Sequence, residues 1–155
     1  MNRTIKFRGK MIPENEWIFG TILRIPAPPV CFGKSETDKY YIQFPDPRYM
    51  PDWNMPYKMV QGEVNPDTIG QYTGLHDKNG KEIYEEDVVK ITNKNSKVIP
   101  IKPLIAQIVW SEEYLAYILI TTSVKDAFEN LGDYIDYDIE VIGNVFENPE
   151  LLGGE

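Results

Sequence analysis

The stretch VNPDTIGQYTGLHDKNGKEIYEEDVVKI, from Val64 to Ile91, decides how this chain folds. Its centre, Asp77 to Lys81, has the composition of a tight turn, because Asp and Asn side chains hydrogen-bond nearby backbone and its glycine can adopt a positive φ. The flanks Thr68–Thr73 and Lys81–Tyr84 alternate β-branched or aromatic residues with polar ones, which predicts a β-hairpin. Asp87–Ile91 follows as a third strand with a buried character.

Further short strands are predicted on both sides of this hairpin. They are Thr4–Arg8 (with Ile5 and Phe7 inward and the charges outward), a strand through Trp17 and Phe19, Ile105–Trp110, Tyr114–Thr121 and Asp138–Val145. Val124–Leu131 is predicted as a short helix that ends before Gly132, and Pro149 opens a final helical turn. Seven or eight short strands with one or two short helices favour a mainly β fold, β-barrel-like and built from short antiparallel strands.

Residues 25–66 differ from the rest of the chain in composition. Eight of the twelve prolines lie between Pro26 and Pro66, which excludes long helices and central strands there. The same region is rich in tyrosine, and a disordered linker would be poor in aromatic residues. We therefore predict a single unit over residues 1–155, in which 25–66 form an ordered excursion and 67–152 the main β-barrel-like part.

Three blocks of sequence resemble the YopX-like family, whose members are encoded mainly by bacteriophages and prophages. They are the opening IKFRGK with Trp17 and Gly20 after it, the central GQYTGLHDKNGKEIYEEDVV, and the closing VIGNVFENPELL. The resemblance covers the whole chain and implies a β-rich phage protein of unestablished role. One position departs from the family pattern: Glu86 stands where the family usually has Gly.

Composition and charge restrict the class of protein. The hydrophobic fraction of 42% is sufficient for a core, and the lone Cys31, which excludes an internal disulfide, suits a reducing cytoplasm. There is no apolar run long enough to span a membrane. Residues 1–60 carry nine Lys or Arg against six Asp or Glu, and residues 61–155 carry seven against eighteen. This balance argues against a general DNA-binding protein, so nucleic acid is the less favoured partner.

The sequence contains no recognisable catalytic or metal-binding constellation. The pair His76–Asp77 has the composition of a general base, but an exposed turn histidine is the simpler interpretation. One His and one Cys cannot make a zinc site, and no nucleotide-binding motif is present, so we predict no enzyme activity, no cofactor and no metal. The candidate binding surface is aromatic and is predicted to comprise Trp17, Tyr72, His76, Asp77, Tyr84 and Trp110.

Three functions remain open on these residues. The first is a non-enzymatic phage accessory protein of the bacterial cytoplasm that binds a phage or host protein, or assembles into a homo-oligomer. The second is a nucleic-acid-binding module that uses the basic N-terminal strand and nearby aromatic rings. The third is an enzyme whose site is built from converging carboxylates, which requires a deep pocket. The acidic neighbours of the aromatic residues favour the first.

Overall fold

The computed structural model describes residues 4–29, 33, 37–48, 58–92, 103–121, 128–134 and 136–153. The chain forms two compact units, Met1–Gln71 and Tyr72–Glu155. The single unit over residues 1–155, with 25–66 as an excursion and 67–152 as the main part, stays a prediction. Cys31, and residues 124–127 of the predicted helix, lie outside the described part of the chain.

The first unit is built on an antiparallel sheet. Its strands are β1 Phe7–Lys10, β2 Trp17–Ile25, β3 Lys39–Pro45 and β4 Met59–Val64, followed by a 3-10 helix at Pro66–Thr68. The strand order is β4-β3-β2-β1, and the first two residues of β5 (Gly70–His76) pair with β1. One face of the sheet carries the buried side chains of Ile18, Ile42 and Val64.

The two ends of this sheet approach each other at one corner. Met11 forms an isolated β-bridge with Val64, and the amide of Ile12 donates a hydrogen bond of 2.8 Å to the carbonyl oxygen of Glu63. The amide of Asn65 donates in turn to the carbonyl oxygen of Lys10, at 2.9 Å. The backbone after β1 therefore reaches the end of β4, and the sheet curls around its own core.

Close packing between β2 and β3 depends on one glycine. Gly20 and Thr21 lie beside the stretch of β3 that contains Ile42 and Gln43. A Cβ atom at position 20 would overlap the carbonyl oxygen of Gln43, so this approach of the two backbones requires a residue without a side chain. The glycine thus allows the backbones of β2 and β3 to approach closely.

The second unit contains a five-stranded antiparallel sheet. The elements of the whole unit are the remainder of β5, β6 Glu82–Tyr84, β7 Asp87–Thr92, β8 Leu104–Ser111, β9 Ala116–Thr121, β10 Phe128–Asn130 and β11 Asp138–Asn144, with 3-10 helices at Leu131–Tyr134 and Pro149–Leu152. The strand order of the five-stranded sheet is β10-β9-β8-β7-β11. β5 and β6 form a hairpin that precedes this sheet in the sequence. Its core contains the buried Val89, Ile91, Ile108 and Leu119.

The prediction of a mainly β fold with short antiparallel strands and few helical turns is confirmed. Within the described ranges neither sheet closes into a complete barrel. The central hairpin, the strand after it, the hairpin of β8 and β9 and the last strand all form close to their predicted positions. The bounds differ most at two strands: β5 is Gly70–His76 where Thr68–Thr73 is predicted, and β9 begins at Ala116 where Tyr114 is predicted. The final helical turn at Pro149 also forms, as a 3-10 helix.

The predicted helix over Val124–Leu131 is wrong in its described part. Phe128–Asn130 forms β10 and pairs with Ile118–Ile120 of β9, and a 3-10 helix begins only at Leu131. A helix of this length is marginal on its own, whereas pairing with β9 satisfies the backbone groups along that strand.

Two details of the first unit also differ from expectation. Residues 25–66 contribute β3 and β4 to the sheet, because Pro45 stands at the end of β3 and the interior of both strands is free of proline. At the N-terminal strand, Ile5 precedes β1 and is 53% exposed, while Arg8 is only 6% exposed. The predicted alternation of apolar-inward and charged-outward residues therefore fails at these two positions.

Candidate functional site

A pair of tyrosines forms the centre of the β5–β6 hairpin. Tyr72 and Tyr84 are direct cross-strand partners, and their ring centroids lie 5.6 Å apart at an angle of 48°. Both side chains are buried, with 5% and 2% of their surface exposed. Cross-strand aromatic pairs of this kind stabilise a hairpin by packing, so Tyr72 and Tyr84 contribute to the stability of this hairpin.

His76 extends this pair towards solvent. Its Nδ1 atom lies 3.1 Å from the hydroxyl of Tyr72, and its ring meets the Tyr72 ring edge-on at 5.7 Å. The hydroxyl of Tyr84 donates to Oε2 of Glu82 at 2.7 Å. Burial, followed by the negative charge of Glu82, raises the pKa of Tyr72 above its usual value, so this phenol stays protonated at neutral pH.

Asp77 turns away from this chain of contacts and organises the hairpin turn. Its Oδ1 accepts hydrogen bonds from the amides of Asn79 and Lys81, at 2.7 and 2.9 Å, and its Oδ2 accepts from the amide of Val141 at 3.2 Å. Burial raises the pKa of Asp77, but the hydrogen bonds from these amides lower it by a larger amount. The pKa of Asp77 therefore lies below its ordinary value. The geometry therefore shows Asp77 holding the turn and gives no His76–Asp77 hydrogen bond.

The two tryptophans of the predicted surface have other neighbours. Trp110, on β8, is 42% exposed and packs edge-on against Tyr117, with ring centroids 5.1 Å apart. Trp17, at the start of β2 in the first unit, lies under the guanidinium of Arg8 at 4.9 Å and the ammonium of Lys10 at 5.4 Å. The structure thus brings together Tyr72, His76 and Tyr84 of the predicted set, with Asp77 next to them in the turn.

A surface that the sequence analysis missed lies on β2. Phe19, Leu23 and Ile25 are separated by even numbers of residues, so their side chains share one face of the strand. They are 42%, 39% and 51% exposed. The strand register places Met59 on the same face, where it is 46% exposed. We call these four residues the outer apolar face. The sequence itself indicates a strand with apolar residues on both faces, because WIFGTILRI is apolar at both odd and even positions.

Basic side chains accompany the outer apolar face along β1. The ammonium of Lys6 lies 5.7 Å from the ring centroid of Phe19, next to the contacts of Arg8 and Lys10 with Trp17. Such cation–π contacts hold the charges on the aromatic side of the strand pair. Trp17 and Phe19 also line a groove of about 780 Å³ whose other walls include the side chains of Glu16, Phe44, Pro45, Asp46, Arg48 and Val60.

Two features are absent from the residues that the structure describes. They contain no group of three or more His, Cys, Asp or Glu side chains placed to hold a metal ion. They also contain no helix that is long and apolar enough to cross a membrane.

Comparison with known proteins places the chain in a family. The family described as "YopX protein" matches residues 6–153, and the chain therefore belongs to the YopX family. Among solved structures it is similar to the crystal structure of protein EF1440 from Enterococcus faecalis, with 22% sequence identity, a TM-score of 0.46 and coverage of 98% of this chain and 100% of that one. No curated protein sequence matches significantly.

The position at which this chain departs from the family pattern keeps the backbone conformation of a glycine. Glu86 has a φ of 67°, in the left-handed region that ordinary side chains disfavour. Its amide donates to the carbonyl oxygen of Ile108 at 2.8 Å, and its own carbonyl oxygen accepts from the amide of Val145 at 3.0 Å. Its carboxylate accepts from the side-chain amide of Gln107 at 2.6 Å. These bonds hold the glutamate in place despite the unfavourable φ.

Proposed function

We propose that this chain is a phage- or prophage-encoded accessory protein of the bacterial cytoplasm that acts by binding protein, first of all a second copy of itself. It performs no catalysis. The observation that carries the proposal is the outer apolar face, which leaves four large side chains of a well-paired sheet in solvent. Exposed apolar residues that share one sheet face and have polar neighbours are typical of protein interaction surfaces.

Charge supports a second copy as the occupant of this face. Residues 1–71 carry nine Lys or Arg against eight Asp or Glu, while residues 72–155 carry seven against sixteen. Lys6 and Lys10, which lie beside the outer apolar face, therefore complement the acidic second unit of another molecule. A contact between unlike surfaces of identical chains is heterologous, and it closes into a ring or extends into a filament.

Light scattering coupled to size-exclusion chromatography tests the proposal directly. We expect the wild-type protein to elute as a discrete oligomer, and the double variant Leu23→Ser, Ile25→Ser to elute as a folded monomer. The matched control is the double variant Ile5→Ser, Ile12→Ser, because both residues belong to the first unit, lie outside the outer apolar face and are 53% and 50% exposed. The control should leave the oligomer intact.

Two results would overturn self-assembly through this face. One is a wild-type protein that remains monomeric up to about 100 µM, a concentration at which even a weak specific dimer is populated. The other is an oligomer that survives in the Leu23→Ser, Ile25→Ser variant. Raising the salt concentration should weaken the oligomer only in part, because screening reduces the charge contribution and leaves the apolar contact.

A second candidate function, binding of single-stranded nucleic acid, is favoured by the stacking of Lys6 on Phe19 and of Lys10 on Trp17. Exposed rings beside basic residues are the platform on which bases stack in small β folds. Fluorescence anisotropy with a labelled oligonucleotide tests it, with Lys6→Gln, Lys10→Gln as the variant and Lys39→Gln as the control. Binding that weakens with salt and is lost only in the variant supports this function, and no binding at low salt excludes it.

A further inference from the structure

The β8–β9 hairpin carries the exposed apolar surface of the second unit. Among the described residues of this unit, the exposed large hydrophobic side chains all lie on that hairpin: Trp110 at 42%, Tyr114 at 56%, Leu115 at 76% and Ile120 at 38%. The first three are grouped at the end where the two strands join, and we call residues 110–115 the hairpin tip. This end of the hairpin is therefore an apolar surface without a partner in its own unit.

The backbone of Leu115 makes its exposure more unusual. Its φ of 49° lies in the left-handed region, which side chains disfavour and glycine accepts without strain. The loop around it is ordered, because the amide of Tyr114 donates to Oγ of Ser111 at 3.3 Å and Ser111 pairs with Ala116 across the hairpin. Leucine at this position therefore gains neither burial nor a relaxed backbone from its own fold. Residues held in disfavoured conformations are concentrated at functional sites.

The hairpin tip is acidic as well as apolar. Glu112 and Glu113 lie in the loop between β8 and β9, and both are exposed. The sequence contains no Lys or Arg from residue 103 to residue 124, so no basic side chain of this segment offsets the two carboxylates. The tip therefore presents apolar side chains next to negative charge.

The outer apolar face lies on the basic side of its sheet. The strand register places Arg8, Lys10 and Lys39 on this side of β1–β4, against one acidic residue, Glu63. Lys6, just before β1, contacts the ring of Phe19 on the same side. An apolar face with basic neighbours and an apolar tip with acidic neighbours are complementary in both hydrophobicity and charge.

We infer that the hairpin tip of one molecule docks on the outer apolar face of a second copy. Its apolar side chains cover that face, and its two glutamates lie near the lysines beside it. The inference rests on the proposed self-assembly and names the segment of the second copy that occupies the face. Because every molecule offers one tip and one face, the contact repeats from copy to copy.

The variant Leu115→Gly separates docking from a role in the fold. Glycine removes the apolar side chain and accepts the positive φ, so we expect no fall in the urea midpoint at a dilution where the wild type is monomeric. The dissociation constant of the oligomer, from light scattering over a dilution series, should rise at least about tenfold because a buried leucine is lost. Ile120→Ser is the control, since Ile120 is exposed on the same hairpin outside the tip, and it should leave this constant unchanged.

Charge reversal tests which surface the tip meets. The double variants Glu112→Lys, Glu113→Lys and Lys6→Glu, Lys10→Glu should each dissociate the oligomer, because like charges then face each other. An equimolar mixture of the two variants should assemble again, since each tip then meets a face of opposite sign. Circular dichroism of each variant alone checks that it is folded.

The outcomes distinguish this inference from the proposed self-assembly. An oligomer that is lost in Leu23→Ser, Ile25→Ser but unchanged in Leu115→Gly would overturn the docking of the tip and leave self-assembly through the outer apolar face standing. Folded charge-reversal variants that stay monomeric when mixed would overturn the pairing of tip and face. A wild-type protein that is monomeric at all concentrations tested would overturn both proposals.

Discussion

The backbone amide of Val141, on β11, donates a hydrogen bond of 3.2 Å to Oδ2 of Asp77, in the turn between β5 and β6. The next residue of the turn continues the contact: the amide of Lys78 donates to the carbonyl oxygen of Ile139 at 2.8 Å, and Nζ of Lys78 lies 2.7 Å from Oε2 of Glu140. Because β11 is an edge strand of its sheet, the turn occupies backbone groups that would otherwise face outward.

Replacing Asp77 by Asn should destabilise the protein. Asn keeps an oxygen for the amides of Asn79 and Lys81 but places an NH₂ group against the amide of Val141, so two donors face each other. We expect the free energy of unfolding, measured by urea denaturation, to fall by about 1–3 kcal/mol. Asp136→Asn changes an exposed carboxylate of the same unit and should cost less than about 0.5 kcal/mol. Equal losses in both variants would contradict the role of Asp77.

The difference between wild type and Asp77→Asn should depend on pH. The amide hydrogen bonds outweigh burial and hold the pKa of Asp77 below its ordinary value in the folded protein. Its carboxylate therefore contributes stability that is complete above the unfolded-state pKa of about 3.9 and is lost as the pH falls through the folded pKa. Urea denaturation at a series of pH values should show the gap between the two proteins closing below about pH 4. A gap that stays constant down to the acid-unfolding limit would argue against this titration.

Position 86 should prefer glycine to alanine. Both Glu86→Gly and Glu86→Ala remove the hydrogen bond to Gln107, but only alanine keeps a Cβ at a φ of 67°. We expect the glycine variant to be more stable than the alanine variant by about 1 kcal/mol. At Glu85, whose φ is not positive, the order should reverse, because glycine there only adds freedom to the unfolded chain. Thermal unfolding of the four variants gives both comparisons.

Gly20→Ala should destabilise the first unit. The added methyl group would overlap the carbonyl oxygen of Gln43 and press on Ile42, and the backbones of β2 and β3 would have to separate. Overpacking of this kind lowers the free energy of unfolding by about 1–3 kcal/mol. Gly132→Ala is the control, since its closest neighbour is a side-chain oxygen of Asn130 at 3.3 Å, which can move. Unfolding curves that shift equally for the two variants would contradict the close approach at Gly20.

Local patterns in the sequence predicted most of the second unit. The turn residues Asp77 to Lys81 and the alternation on either side of them were sufficient for the central hairpin, because turn chemistry and side-chain period act within a few residues. The helix over Val124–Leu131 failed for the opposite reason: Phe128–Asn130 pairs with β9, and that pairing depends on tertiary structure.

The candidate site was harder to predict than the fold. Tyr72, His76 and Tyr84 could be grouped because the hairpin register places them together. Trp17 belongs to the first unit and stacks with Arg8, a contact that needs the pairing of β1 with β2 and cannot be read from either segment alone. Phe19 is likewise exposed because the core of the unit lies on the other face of the sheet. Composition does not indicate which face of a strand is buried.

The pairing of β7 with β11 sets an order of events during synthesis. Thr92 pairs with Asp138 and Asp87 with Asn144, so β7 must wait for some fifty further residues before its partner leaves the ribosome. The strands of the first unit all precede residue 72 and can pair while that wait lasts. A ribosome stalled between the two points therefore exposes β7 without its partner β11, and the apolar side chains of β7 are then open to chaperones.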